Sequence, residues 1–320
     1  MSNISEDEDE ENPETCPIEI SRGNKEDFIS MIDETGQMAG WMRKFRDYDC
    51  YQKMQGAHFQ MHHYVAKTKR DQYVGSCICI ELDNYAFLSI YYVSADFRQL
   101  TVGKDLLEKV FEDKLKLKNI GVYTAQSNTL SYAPVLKFNK LADWHIRYVT
   151  LTNVDISRIT VNNDGLTIKS VRDIPLTDLI NYDKRITKCD RYDFLKHWIY
   201  ERFDCVAKVA LDATNAIVGY GSARLLSIAT YPAFSPIYCD NEQVFLKLIT
   251  EILGCFPEEM AEKKQVGIWV PSTNIPKLKA ITAGICSFEE GEEYIAKFTQ
   301  SVPTVDIQYI YGIAETMMFV

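Results

Sequence analysis

The chain lacks any apolar run long enough to cross a bilayer as a helix, which excludes a helical anchor within its 320 residues. Its first residues lack the basic charge that a targeting peptide needs. Positions 6–14 carry seven acids instead: Glu6, Asp7, Glu8, Asp9, Glu10, Glu11 and Glu14. Bases are not gathered elsewhere either. The formal net charge of −10 falls to −3 once that stretch is set aside, so the body is mildly acidic and offers no stripe for nucleic acid. Cysteine occurs nine times but never at metal-ligand spacing. Cys77 and Cys79 stand one residue apart in an apolar stretch with no second pair, so reduced thiols in a cytoplasmic protein are expected, not zinc or disulfides.

What is present suits a two-domain globular protein. Hydrophobic residues make up 46% of the chain, enough for sizeable cores. Residues 1–15 read as a disordered acidic tail. A strand at Ile18–Ser21 leads into a helix after Asn24, with Phe28, Ile29, Met31 and Ile32 on its apolar face. A second helix is expected within Gly40–Met54. Strands follow at His63–Lys67, Tyr73–Leu82 and Ala86–Ser94, then a helix after Gly103 with Leu106, Leu107, Val110, Phe111 and Leu115 on one stripe. A strand at Ile120–Ala125, a segment holding Asn128, Tyr132 and Phe138, and a strand at His145–Leu151 complete a unit spanning 16–152.

Residues 153–175 read as a connection, broken by Asn162-Asn163-Asp164-Gly165 and Pro175. A second unit over 176–320 repeats the plan: helices, strands at Val206–Leu211 and Ile217–Ala223, a helix led by Val244 and Phe245, a strand at Val266–Val270, then Asn274 and a helix. Its tail alternates as strands at Tyr294–Thr299 and Ile307–Phe319. The repeated order of strand, turn, apolar helix, strand, asparagine and helix points to duplication of one α/β unit.

The stretch from Tyr91 to Lys104 carries the strongest functional signal. An apolar strand ends, a turn holding Arg98 and Gly103 follows, and an amphipathic helix starts at once. Such a junction aims free backbone N–H groups and the positive end of a helix dipole at one point, where a phosphate or pyrophosphate fits. The amides of Leu100, Val102, Gly103 and Lys104 are the expected donors, with Arg98 positioning the loop. The second unit's counterpart, Ser235–Asp240, lacks the arginine and the glycines, and Asp240 reads as an N-cap whose charge opposes an anion.

The run from Arg98 to Gly103 resembles motif A of the GNAT N-acetyltransferase superfamily, which binds the pyrophosphate of acetyl-CoA. Arg98 and Gly103 match its Arg/Gln-x-x-Gly-x-Gly/Ala pattern; Thr101 stands where the first glycine belongs, so the loop is a weakened version. The fragments Gly219-Tyr220-Gly221, Ser235–Asp240 and Val270–Asn274 are similar to the YitH/HolE-type acetyltransferase domain that follows a GNAT domain in tandem proteins. The resemblance implies two tandem α/β domains, each a mixed, mostly antiparallel central sheet flanked by helices. It implies an acetyl-CoA-dependent N-acetyltransferase working by direct transfer, with no metal and no covalent intermediate. By the same resemblance Tyr91 and Val93 would pair with the pantetheine arm, Val93 would hold the thioester oxygen, Asn128 would touch the arm, and Tyr132 would protonate the departing thiolate. Glu81, on a strand beside the expected cleft, is the candidate general base. The acceptor would be an amine on a small molecule or a protein. A non-catalytic module that binds CoA or a protein partner is the alternative. The sequence leaves the oligomeric state open.

Overall fold

The computed structural model describes residues 17–36, 42–125, 136–161, 165–226, 230–316 and 318–320, and among them thirteen strands join one sheet. The first half opens with β1 (Ile18–Arg22) and α1 (Lys25–Thr35). Asn24 starts α1 through a reciprocal capping box with Asp27. Next come α2 (Asp47–Met54), β2 (Phe59–Thr68), β3 (Tyr73–Leu82), β4 (Ala86–Val93), α3 (Val102–Val110) and β5 (Ile120–Ala125). Then β6 (Lys140–Thr152) and β7 (Thr167–Ser170) follow. The second half continues with α4 (Leu176–Thr187), a short helix α5 (Tyr192–Phe194) that widens into a π-turn over Leu195–Tyr200, β8 (Val206–Leu211), β9 (Ile217–Leu225) and β10 (Pro232–Cys239). It ends with α6 (Glu242–Leu253), α7 (Pro257–Glu262), β11 (Val266–Pro271), α8 (Ile275–Ile281), β12 (Ser287–Phe298) and β13 (Ile310–Gly312).

The strand order β1-β2-β3-β4-β5-β12-β6-β11-β10-β9-β8-β7 reads nearly the same from either end. Each half contributes a five-strand run in which four antiparallel strands meet a parallel fifth. In the first run β5 is parallel to β4; in the second β11 is parallel to β10. The two runs meet through exchanged strands. β12, from the second half, lies against β5, pairing Tyr294 with Ala125 through to Phe298 with Gly121. β6, from the first half, lies against β11, pairing Leu151 with Val266 through to Ile146 with Pro271. β6 and β12 then pair with each other and close the sheet.

Two local expectations change. The connection expected at 153–175 contains an edge strand, β7, which pairs with β8 because Thr167–Ser170 lies in register with Lys208–Leu211. The long strand expected at Ile307–Phe319 shrinks to β13, since the chain beyond Gly312 leaves the sheet and turns through Glu315, at a φ of 127°.

Helices cover both faces. On one face a single apolar core runs across both halves and includes Phe28, Tyr51, Phe87, Trp144, Trp198 and Phe319. On the other, α3 packs over the first half with Leu106 and Leu107 buried, and α6 packs over the second with Phe245 and Leu248 buried. The shared core also holds charge. Arg202 and Asp47 pair at 2.6 Å, Arg43 and Glu315 at 3.1 Å, and Arg224 pairs with Glu315 as well, all nearly out of solvent. These pairs join α2, the strands of the second half and the C-terminal segment, so the two halves pack as one body.

Candidate functional site

β4 and β5 pair only over Ala86–Leu88 against Ile120–Val122, and then separate. A β-bulge causes the separation. In the ladder with β3, Ile78 faces Ile90 and Cys79 faces Leu88, so Ser89 is the extra residue. A bulge bends its strand and sharpens the local twist, and here it carries β4 away with β3 while β5 stays with β12. The gap is a cavity of about 590 Å³.

One wall of the cavity comes from β4 and the turn into α3. The Ser94 amide donates to the Val74 carbonyl of β3 at 2.8 Å. Antiparallel alternation therefore turns the amides of Tyr91 and Val93 the other way, toward the gap. Beyond the strand the amide of Leu100 donates to Phe97 and that of Asp105 to Thr101. That leaves Val102, Gly103 and Lys104 as first-turn amides without an intrahelical acceptor, at the positive end of α3. Leu100 is thus a correction to the expected donor set: its N–H closes a 3₁₀-type turn, while the residue lines the cavity.

Arg98 ties the turn to the end of β4. Its Nε donates to the Val93 carbonyl at 2.9 Å and its guanidinium lies 5.9 Å from the Tyr92 ring centre. Thr101 sits at φ −75°, ψ −4°, a helical conformation open to any residue, and its hydroxyl donates to Asp105 at 2.7 Å. The departure from glycine at this position therefore carries no backbone strain. Gly103 leaves room for a neighbouring ring. A Cβ there would stand 2.2 Å from the Tyr91 phenol oxygen, which lies across the start of the helix. Burial pushes the Tyr91 hydroxyl up to about 12, so it stays protonated at neutral pH.

The opposite wall comes from the second half. Trp269 of β11 and Glu292 and Tyr294 of β12 face the cavity, with Arg43 and Thr316 nearby. The Trp269 and Tyr294 rings meet edge to face at 5.3 Å. Arg98 and Lys104 stand at the α3 end, and Glu292 and Arg43 line the other side of the cleft. None of these far-wall residues was named from sequence. The available signal was that Glu292 and Tyr294 share one face of a strand, but a strand's pattern does not name its partner.

Glu81 lies outside the cavity wall. It pairs across from Ala86, at the end where β4 and β5 are still joined. Burial alone would raise its carboxyl pKa, but Lys118 and His62, each at 2.7 Å, outweigh that and hold it below the usual range. Asn128 and Tyr132 lie outside the described residues. Among the described residues no cluster of three or more His, Cys, Asp or Glu side chains is placed to hold a metal ion, and no helix is long and apolar enough to cross a membrane.

No family model and no curated protein sequence matches the chain. Solved structures do. A candidate acetyltransferase from Pyrococcus horikoshii is 15% identical with a TM-score of 0.66, over 94% of this chain and 95% of that one. A tandem GNAT protein from the clavulanic acid biosynthesis pathway is 12% identical at a TM-score of 0.64, over 88% and 98%. The N-myristoyltransferase of Saccharomyces cerevisiae, solved with myristoyl-CoA, is 11% identical at 0.59, over 96% and 88%. At these identities the likeness is one of fold: the chain has the architecture of the tandem GNAT proteins, an α/β arrangement around a mostly antiparallel sheet.

Proposed function

We propose that the chain is an acetyl-CoA-dependent N-acetyltransferase whose single cofactor cleft is the gap between β4 and β5. The observation that carries this reading is the parting of those strands beside the open first turn of α3. Three amides, the helix dipole and Lys104 suit a pyrophosphate, and the inward amides of Tyr91 and Val93 suit an extended arm with its own amide groups. The Val93 amide, at the strand end that Arg98 fixes, would polarise the thioester carbonyl.

Transfer would proceed in one displacement. The amine nitrogen attacks the thioester carbon, the C–S bond breaks, the amine gives up a proton and the departing thiolate gains one. Tyr132 is proposed as the acid, since a phenol is a fitting donor to a thiolate. Glu292 on the far wall is the carboxylate placed to take the amine proton through a water, a role that Glu81's position does not serve. Asn128 is proposed as a contact to the arm. The acceptor is an amine that enters against Trp269, Tyr294 and Glu292, so the first half holds the cofactor and the second half chooses the acceptor. Eight unpaired cysteines among the described residues support a reducing, cytoplasmic setting.

Calorimetric titration of acetyl-CoA tests the reading, with Gly103→Asp as the control. That substitution sets a carboxylate in the anion site and collides with Tyr91. Micromolar binding to the native chain, lost in the control, is expected. Absence of binding to the native chain overturns the proposal; binding with no thiol release against an amine library leaves a CoA-binding module in its place.

A further inference from the structure

The second half repeats the gap of the first. β10 and β11 pair only at Ala233 and Phe234 against Gly267 and Ile268, and then part as β4 and β5 do. Here the gap is filled by the chain itself. β13 runs into it, pairing Ile237 with Gly312 and Tyr238 with Ile310, and the Ile313 amide donates to the Trp269 carbonyl of β11 at 3.0 Å. Asn274, the asparagine that follows β11, donates to the carbonyls of Ile307 and Ile310 at 2.7 and 2.8 Å. Tyr311 stacks on Phe245 of α6 at 4.6 Å. Asn241, not Asp240, caps α6, while Asp240 pairs with Arg185 and Tyr182.

We infer that β13 is a permanent internal occupant of the second gap, and that the residues after it form part of the acceptor wall of the first. A parted strand exposes main-chain donors and acceptors that must find partners. In the second gap the chain supplies them from its own backbone. The segment then crosses to the first cleft. Glu315, with its left-handed φ of 127°, is held between Arg43 and Arg224, and Thr316 and Arg43 both line the 590 Å³ cavity. Buried ion pairs on both sides hold a strained backbone at the point where the tail turns from one gap to the other. Its consequence is one acyl-CoA per chain.

Hydrogen exchange on the full-length chain tests the occupancy whether or not a cofactor binds. Peptides covering Ile310–Ile313 should exchange at least about a hundredfold more slowly than unprotected amides, in step with β11, and should stay protected with excess acetyl-CoA. Asn274→Ala should speed exchange over 307–313 by about tenfold or more while leaving β1–β3 unchanged. The stoichiometry part rests on the acetyl-CoA reading: titration should give one equivalent, all of it lost in Gly103→Asp. Fast exchange at Ile310–Ile313, deprotection on adding acetyl-CoA, or an unchanged Asn274→Ala profile overturns the inference. So does a second equivalent that survives Gly103→Asp. A chain that binds no acetyl-CoA yet shows the protected segment instead overturns the cofactor reading alone.

Discussion

Gly103→Ala is the smallest change that separates the cleft from the fold. The added methyl would lie 2.2 Å from the Tyr91 phenol oxygen, where 3.4 Å is ordinary contact, so the ring must swing by about 1.2 Å. The start of α3 lies beneath it, and the open direction is into the cavity. Helix propensity pulls the other way: alanine is favoured over glycine by about 1 kcal/mol in a helix, which offsets the strain of overpacking, itself about 1–3 kcal/mol. Thermal stability should therefore change little. Acetyl-CoA affinity should fall about tenfold or more, equivalent to about 1.4 kcal/mol, because the phenol moves into the cofactor's place and shields the first-turn amides. Tyr91→Phe removes the clashing oxygen and leaves Cζ at 3.1 Å, a gap that a few tenths of an ångström relieve. The double variant Tyr91→Phe/Gly103→Ala should recover most of the lost affinity in calorimetry. Native affinity in Gly103→Ala, or no recovery in the double variant, would refute the reasoning.

Three further outcomes follow from the packing. Asp47→Ala removes the carboxylate that Arg202 and Arg224 share and leaves them Asp204 and Glu315, and should cost about 1–3 kcal/mol in urea unfolding. Asn24→Ala breaks the capping box of α1 and should cost about 1 kcal/mol by the same assay. His63 is buried against Gly23, and burial lowers its pKa to about 4 from an ordinary 6.5. The unfolded chain thus binds the proton more readily, and stability should fall as the pH drops from 6.5 toward 4, by up to about 3 kcal/mol from this group. His63→Gln should flatten that part of the denaturation profile; an unchanged slope would remove His63 as its source.

Much of the local structure is legible in the sequence. The Tyr73–Leu82 strand has its expected bounds, because alternation is a property of a single segment; of the stripe expected after Gly103, α3 buries Leu106, Leu107 and Val110, while the helix ends at Val110 and Phe111 and Leu115 are buried beyond it. The junction at Arg98 and Gly103 is legible for the same reason. What the sequence hides is partnership. Nothing in His145–Leu151 announces that it will lie against β11, nor in Tyr294–Phe298 that it will lie against β5, since a strand's pattern sets its faces and leaves its neighbour open. The far wall of the cleft follows from that exchange and stayed out of sight with it. Glu81 was read as near the cleft because its strand is; its rung, at the joined end of β4 and β5, depends on where the Ser89 bulge falls. Leu100 lost its donor role to a single turn that its residue type does not specify.

The exchanged strands also bear on how the protein is made. β5 is complete at residue 125, yet its second neighbour is β12, residues 287–298. A nascent chain growing at about 5–20 residues per second carries that unpaired edge for roughly ten to thirty seconds before its partner exists. During that interval the edge of β5, buried on every residue in the finished protein, is open to any passing strand. The first half therefore cannot complete its part of the sheet as it emerges; the edge of β5 must wait for β12.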